Sequence, residues 1–434
     1  MQVIENLKVK EKVYFEKLNN GLMVMIIPKQ GIQKKYMIWG TNYGSNDSVF
    51  IAPKEEKETK VPNGVAHFLE HKLFEQENGS NALDTLTALG VEANAYTSND
   101  HTAYLFECTD NFYEAMDEFM DYVQHPYFTD ENVEKEKGII EQEIMMYDDS
   151  PEWKVYINTL LAMYHNNPVK IDIAGTKDSI NKIDKNILYK CYNTFYNPSN
   201  MVLVICGDFE VEKIIEEVKK RLIPNTPKGE IKRIYPKEPE EIVKEKIEQN
   251  LEVNMPLYSI GIKCESGCNV NTQAKYALNK SEEVKKHIAI DILLNLIIGK
   301  SSKLYKKLYN QGIIFMEPYL SYEFSKTYAH IIISGQSSNP DEVFLEFKQE
   351  VNEFIEKGID KNNFERIKKM IYGAYIKEYD DVENISRMFL ADYFKGINSF
   401  DYLEEIEGIN VEYLEQILKD VFKEDKMVIS IVKN

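Results

Sequence analysis

The sequence predicts an α+β fold of two homologous units, each a mainly antiparallel sheet packed with long helices. Three observations carry that expectation. The chain has 434 residues, more than one hydrophobic core usually spans, and at roughly 150 residues per domain two domains are the economical reading. Short apolar runs bounded by turn residues alternate with longer stretches at helical spacing, in a similar order in both halves, as an internal duplication would give. Between the halves, 224–248 is rich in Pro, Lys and Glu and lacks sustained apolar periodicity, which marks a boundary. The expected division is an N-terminal domain over 1–225, a charged linker over 226–250 and a C-terminal domain over 251–434.

The elements follow in order. Leu22 to Ile27 comes after an Asn-Asn-Gly turn and stops at Pro28, and Tyr36 to Tyr43 is a second, aromatic-rich run, so both read as strands. Residues 48–63 turn polar and read as a loop. The stretch GVAHFLEHKLFEQ that follows has its apolar residues at helical spacing. Ala82 to Leu89 reads as a short helix closed by Gly90, then Val91 to Thr97 and Thr102 to Cys108 as strands joined by SNDH. Asp110 to His125 is amphipathic. Thr129 reads as the cap of a long helix through Tyr147, with Asp130 and Glu131 in its first turn where they complement the dipole. Met201 to Cys206 reads as a buried strand and Glu210 to Leu222 as a helix. In the second half, Leu257 to Cys264 is a strand, Glu282 to Ile298 and Lys303 to Tyr309 are helices, and Ile313 to Phe324 and Tyr328 to Gly335 are strands. Asn339 and Pro340 open a helix that Gly358 stops, and two further helices lead to a last strand at Met427 to Val432.

Composition excludes several classes. With 71 acidic against 52 basic side chains the net charge is -19, which repels phosphate, and no Lys/Arg cluster offsets it, so nucleic acid is not an expected partner. A hydrophobic fraction of 43% with 28% charged residues is that of a folded globular chain. Five cysteines at scattered spacings do not make a disulfide framework, and Cys264 with Cys268 reads as two half-buried thiols at the end of a strand and its turn. The N-terminal stretch has no apolar core of a signal peptide, and no apolar run approaches the roughly 18 residues of a membrane span. The expected location is the cytoplasm.

One segment carries chemistry. His67-Phe68-Leu69-Glu70-His71 puts two imidazoles and a carboxylate at i, i+3 and i+4, hence on one helix face, in a chain with only 7 histidines. That is the arrangement of a zinc pair with an adjacent base. A hydrolytic zinc site usually takes three protein ligands and leaves a fourth position for water. Candidates for the third are Glu134, Glu136, Glu141 and Glu143 on the long acidic helix. Glu136 and Glu143 stand out because seven residues is nearly two turns, and Ile139, Ile140 and Ile144 predict that part of this helix is buried.

The HFLEH motif followed by EKGIIEQEI resembles the inverzincins of the pitrilysin/insulinase family, whose reversed zinc motif is H-x-x-E-H. The resemblance runs through most of the chain: NAYTSNDHTAY, FYNPSN before MVLVICGD, and SSKLYKKLYNQG. AHFLEHKLFE and KIDIAGT narrow it to the YmfH-type branch of half-length bacterial members. It implies zinc as cofactor, His67, His71 and Glu143 as metal ligands, Glu70 as general base, and Glu136 as the carboxylate that orients a ligating histidine. It implies an endopeptidase, with Asn94, Ala95 and Tyr96 on a strand whose free edge takes the substrate peptide as a further strand.

One departure matters. Where many relatives carry an Arg and a Tyr spaced as L-R-x-x-x-x-x-Y, this chain has Leu308, Tyr309 and Phe315, which supply neither a guanidinium nor, at 315, a hydroxyl. Half-length members close as a two-subunit clamshell, so the resemblance implies a heterodimer whose paralogous partner brings the missing Arg and Tyr. A homodimer with Tyr309, Tyr319 or Tyr322 as substitute donors is the alternative. Two other functions compete: a non-catalytic scaffold subunit, against which the complete motif speaks, and a dedicated leader-peptide maturation protease. His101, in a turn, and His165, in a polar loop, are not expected to touch metal, and His125 reads as a dipole partner at a helix end.

Overall fold

The computed structural model describes residues 1–224, 229–265 and 282–434. In chain order the first strands are β1 (Gln2–Asn6), β2 (Glu11–Lys17), β3 (Met23–Pro28), β4 (Lys35–Thr41), β5 (Val49–Ile51) and β6 (Thr59–Lys60). Then come α1 (Val65–Lys72), α2 (Ala82–Ala88), β7 (Glu92–Thr97), β8 (Thr102–Cys108), α3 (Phe112–Gln124), α4 (Asp130–Asp148) and α5 (Pro151–Met163). The short α6 (Lys177–Ile180), α7 (Lys185–Phe195), β9 (Met201–Gly207) and α8 (Val211–Arg221) follow. The rest runs β10 (Lys232–Arg233), β11 (Lys246–Asn250), β12 (Leu257–Cys264), α9 (Glu282–Ile297), α10 (Lys303–Asn310), β13 (Tyr319–Phe324) and β14 (Ala329–Gln336). It ends with α11 (Pro340–Lys357), α12 (Lys361–Glu378), α13 (Val382–Lys395), α14 (Asp401–Gly408), α15 (Val411–Val421) and β15 (Met427–Lys433).

The duplication is visible in the two large sheets. One has the order β1-β2-β3-β9-β4-β8-β7, the other β11-β15-β12-β14-β13. Strip β1 and β2 from the first and the sheets coincide: in each, the first strand pairs in parallel with the last, and every other pair is antiparallel. In each, two helices lie in sequence between the second and third strands, α1 and α2 in the first half, α9 and α10 in the second.

The chain divides into two compact units that are not continuous in sequence. Unit 1 is Met1–Ile144, Ile171–Tyr235 and Lys377–Phe394, and unit 2 is Met145–Lys170, Pro236–Ile376 and Lys395–Asn434. Each unit therefore takes a helix from the other half of the chain. In unit 2, Leu160 and Met163 of α5 pack with Ile332 and Val428 of the second sheet. In unit 1, Leu390 and Phe394 of α13 lie against Gly40 of β4. Gly40 pairs with Val202 and Gly261 with Val428, each the second residue of the closing strand of its sheet. A Cβ at Gly40 would sit 2.9 Å from Leu390 Cδ1, and one at Gly261 2.6 Å from Thr159 Cγ2. Both glycines let a borrowed helix lie close on a sheet.

Several expectations need correction. The polar 48–63 stretch contains β5 and β6, which form a small sheet with β10, because Phe50 within it is fully buried. Of the expected linker 226–250, residues 226–228 lie outside the described residues, and the remainder contributes β10 and β11. β11 alternates half-buried Ile247 and Gln249 with exposed neighbours, as an edge strand does when only one face is covered, and Lys246, Glu248 and Lys433 pair across it. The strand expected from Ile313 starts at Tyr319, after Pro318, which has no N–H for a ladder. Four helices, not two, lie between Gly358 and the last strand. Cys264 is half-buried and free, and Cys268 lies outside the described residues. No helix among the described residues is long and apolar enough to cross a membrane.

The exchanged helix gives a direct test of packing. Gly261→Val is expected to lower the stability of unit 2 by about 1–3 kcal/mol through overpacking. Gly373→Ala in α12, where a Cβ meets nothing within 4 Å, is expected to add about 0.5–1 kcal/mol. Shifts of the urea unfolding midpoint in opposite directions check both.

Candidate metal centre

Helix α1 begins at Gly64, whose φ of +94° lies in the left-handed region and whose Cβ, if it had one, would be 2.5 Å from the carbonyl oxygen of Ala174. No side chain larger than hydrogen fits there without strain. From that start, Val65, Phe68, Leu69 and Lys72 turn inward and are buried, which fixes the helix rotation and sets His67 and His71 together with ring centroids 4.5 Å apart.

Helix α4 meets them with Val133, Glu136 and Ile140, its buried residues. Glu136 and Glu143, two turns apart, reach the histidines. Glu143 places Oε1 3.5 Å from His67 Nε2 and Oε2 3.5 Å from His71 Nε2. Glu136 Oε1 lies 3.1 Å from His71 Nδ1. The other two candidates point elsewhere: Glu134 is exposed and pairs with Lys137, and Glu141 accepts from Asn181 and pairs with Lys177. Of the isoleucines expected to mark a buried face, Ile140 is buried, whereas Ile139 is 48% exposed. The buried stripe of α4 runs through Glu136 instead.

His67, His71 and Glu143 each offer a ligand atom, all within 4.8 Å of one another. Two atoms sharing a tetrahedral zinc at about 2.0–2.2 Å stand about 3.4 Å apart, close to the 3.5 Å separations found here, which are long for direct hydrogen bonds. Two imidazole nitrogens and a carboxylate oxygen are a donor set that suits zinc, so the residues fit the ion. Glu70, buried on the same helix, accepts a hydrogen bond from Thr97 Oγ1 on β7, 2.7 Å from its Oε2.

These groups hold one another's charge states. Burial pulls the His71 imidazole down, but the hydrogen bond to Glu136 and the charges of Glu70, Glu136 and Glu143 outweigh it and raise its pKa. Burial pushes the Glu136 carboxyl up, and the bonds from His71 and Lys72 more than reverse this. The His67 imidazole facing its oxygens is the main cause that lowers the Glu143 pKa, and His71 adds to it.

Strand β7 is the free edge of its sheet. Asn94 is exposed, and its Oδ1 accepts from the N–H of Ala95 at 2.8 Å. Tyr96 points to the opposite face from Thr97. Its hydroxyl lies 3.1 Å from His101 Nε2, its ring lies under the guanidinium of Arg387, 4.8 Å from the centroid, and burial pushes its phenol up to about 12. His101 thus serves the edge strand. His125 caps the end of α3 and pairs with Asp121, and His165 sits in a loop held by Glu238. Tyr309, Phe315 and Tyr319 are more than half exposed, while Tyr322 is 5% exposed and stacked on Phe324, which withdraws it as a substitute donor.

Sequence reading missed Lys72, Thr97 and Arg387. Only Lys72 left a signal, a lysine on the apolar stripe Val65-Phe68-Leu69 of α1.

Comparison with known proteins shows the family and the fold. Residues 53–177 match the family model "Insulinase (Peptidase family M16)" and residues 182–371 match "Peptidase M16 inactive domain". The chain is 36% identical to the uncharacterized zinc protease YmfH of Bacillus subtilis (strain 168), over 98% of this chain and 97% of that one. The crystal structure of an M16-like peptidase from Alicyclobacillus acidocaldarius superposes with a TM-score of 0.90 at 32% identity, covering 99% of each chain. The periplasmic protease PqqL of Escherichia coli shares the fold at a TM-score of 0.73 and 17% identity, and there this chain spans 48% of the longer protein.

Metal analysis of the purified chain is expected to find roughly equimolar zinc. His67→Ala, His71→Ala or Glu143→Ala is expected to abolish it, and Glu134→Ala to leave it in place.

Proposed function

The chain belongs to the insulinase family of peptidases, and from that premise we propose that it is a zinc metalloendopeptidase with Glu70 as its general base. The observation that carries this reading is the set of three donors within 4.8 Å beside a carboxylate already held by Thr97. His67, His71 and Glu143 hold the metal. Glu136 accepts the Nδ1 proton of His71, which fixes the tautomer and leaves Nε2 for the ion. When bound, zinc supplies the Lewis acid that makes a water nucleophilic near neutral pH.

The protein's own part in the reaction is to bind, orient and move a proton. A substrate peptide adds along the open edge of β7, where Ala95 offers main-chain groups and Asn94 borders them. Tyr96 does not reach toward the metal: His101 and Arg387 hold it on the other face. Thr97 occupies Oε2 of Glu70 and leaves Oε1 to take the proton of the attacking water, which the same carboxyl then passes to the leaving nitrogen. Backbone pairing selects extended shape more than sequence, which suits an oligopeptidase.

The chain acts as one half of a pair. Its length against the longer E. coli protein supports this, as do Tyr309 and Phe315 in place of an Arg and a Tyr. A paralogous partner that supplies both completes the site.

Glu70→Gln is expected to keep its zinc and lose about 10²–10⁴-fold in peptide turnover, measured with a quenched fluorescent peptide. Zinc without hydrolysis of any peptide, alone or paired, would favour the scaffold role. Mixing with a half-length paralogue that carries the Arg and Tyr is expected to raise activity well above that of the chain alone, and full activity from the single chain would sink the heterodimer.

A further inference from the structure

Lys72 follows His71 directly, and its side chain is fully buried. It occupies a position on the inward stripe of α1 where a leucine or methionine would pack at lower cost, since an ammonium taken out of water is expensive even when paired, and a buried ion pair rarely stabilises a fold more than apolar residues of the same size. Fold stability therefore does not explain it. Its partners do: Glu75 Oε2 at 2.6 Å and Glu136 Oε2 at 3.3 Å.

Glu136 is the informative partner. Only 8% of its side chain is exposed, and its two oxygens have separate tasks, Oε1 toward His71 Nδ1 and Oε2 toward Lys72 Nζ. A carboxylate held at one oxygen alone can rotate about its final bond. One held at both has a fixed plane, and the direction from which it receives the imidazole N–H is fixed with it. The aim of His71 Nε2 follows, because the ring is rigid.

We propose that Lys72 is a positioning residue of the metal centre, acting through Glu136 to set the orientation of His71. This rests on the zinc reading above, and it assigns work to a residue that touches neither metal nor substrate. Glu75 has a different part: it pairs with the ammonium and does not itself transmit orientation to the histidine.

A double-mutant cycle on the full chain tests this, with zinc affinity read by competition against a chromophoric chelator. Lys72→Met is expected to weaken zinc about 10–100-fold, the range for removing an outer partner of a ligating histidine. In the Glu136→Gln background the same change is expected to have less than a threefold effect, because the link is already broken. Glu75→Gln is expected to stay within about threefold of the parent. Unchanged zinc affinity in Lys72→Met overturns the proposal, as does an equal loss in the Glu136→Gln background, which would mean that Lys72 only supports the helix. Should Lys72→Met fail to fold, the comparison of Glu136→Gln with the double variant decides, since the double variant buries no unpaired charge. If the parent chain itself binds no zinc, the functional reading has failed. If the parent binds zinc and the cycle shows no coupling, only the role of Lys72 has failed.

Discussion

A carboxylate buried on the inward face of a helix persists only if both its oxygens are answered, and on α4 that carboxylate is Glu136. His71 answers one oxygen and Lys72 the other. Through this group two helices that share no sequence neighbourhood are brought into a fixed relation, α1 with its histidines and α4 with Glu143 seven residues further on. Glu143 then stands 3.5 Å from each imidazole. The rest of the centre depends on that register: a rotation of either helix that buried Glu136 differently would carry Glu143 away from the histidines.

The second half of the chain shows the same scaffold without that constraint. Helix α9 stands in its sheet order where α1 stands in the first, and it too carries ionisable groups at i and i+4, His287 and Asp291. They face each other at 3.7 Å, and their hydrogen-bond partners are tyrosines. Tyr402 lies 2.9 Å from His287 Nδ1, and Tyr375 donates to Asp291 at 2.7 Å. Burial accordingly lowers the His287 pKa, whereas the carboxylates around His71 raise it there. One fold thus supports two electrostatic outcomes, decided by whether the facing helices bring glutamates, as α4 does, or tyrosines, as α12 and α14 do.

How much of this could be read from sequence follows the range of the forces involved. His67, Glu70 and His71 were legible because helical periodicity is local. Glu136 and Glu143 were legible as a pair on one face, but choosing between them needed a family pattern, since spacing alone does not say which carboxylate faces both imidazole Nε2 atoms and which faces the Nδ1 of His71. Ile139 misled because hydrophobicity was taken as burial, when the buried stripe of α4 runs through a charged residue. β11 was hidden because an edge strand with ion-paired side chains has the composition of a linker. The exchange of α5 and α13 left no local signal: which sheet a helix covers is set by the path of the chain, and only Gly40 and Gly261, small residues inside apolar strands, mark where the helices land. Lys72 was legible only as an anomaly, a cation on an apolar stripe.

The central claim is that two histidines and one glutamate hold zinc, with no other protein ligand. Zinc K-edge X-ray absorption on the loaded full chain tests it most directly. The expected result is a first shell of nitrogen and oxygen only, at about 2.0–2.2 Å, with the outer scattering of two imidazoles. A sulfur contribution at about 2.3 Å, or a shell with fewer than two imidazoles, would contradict it.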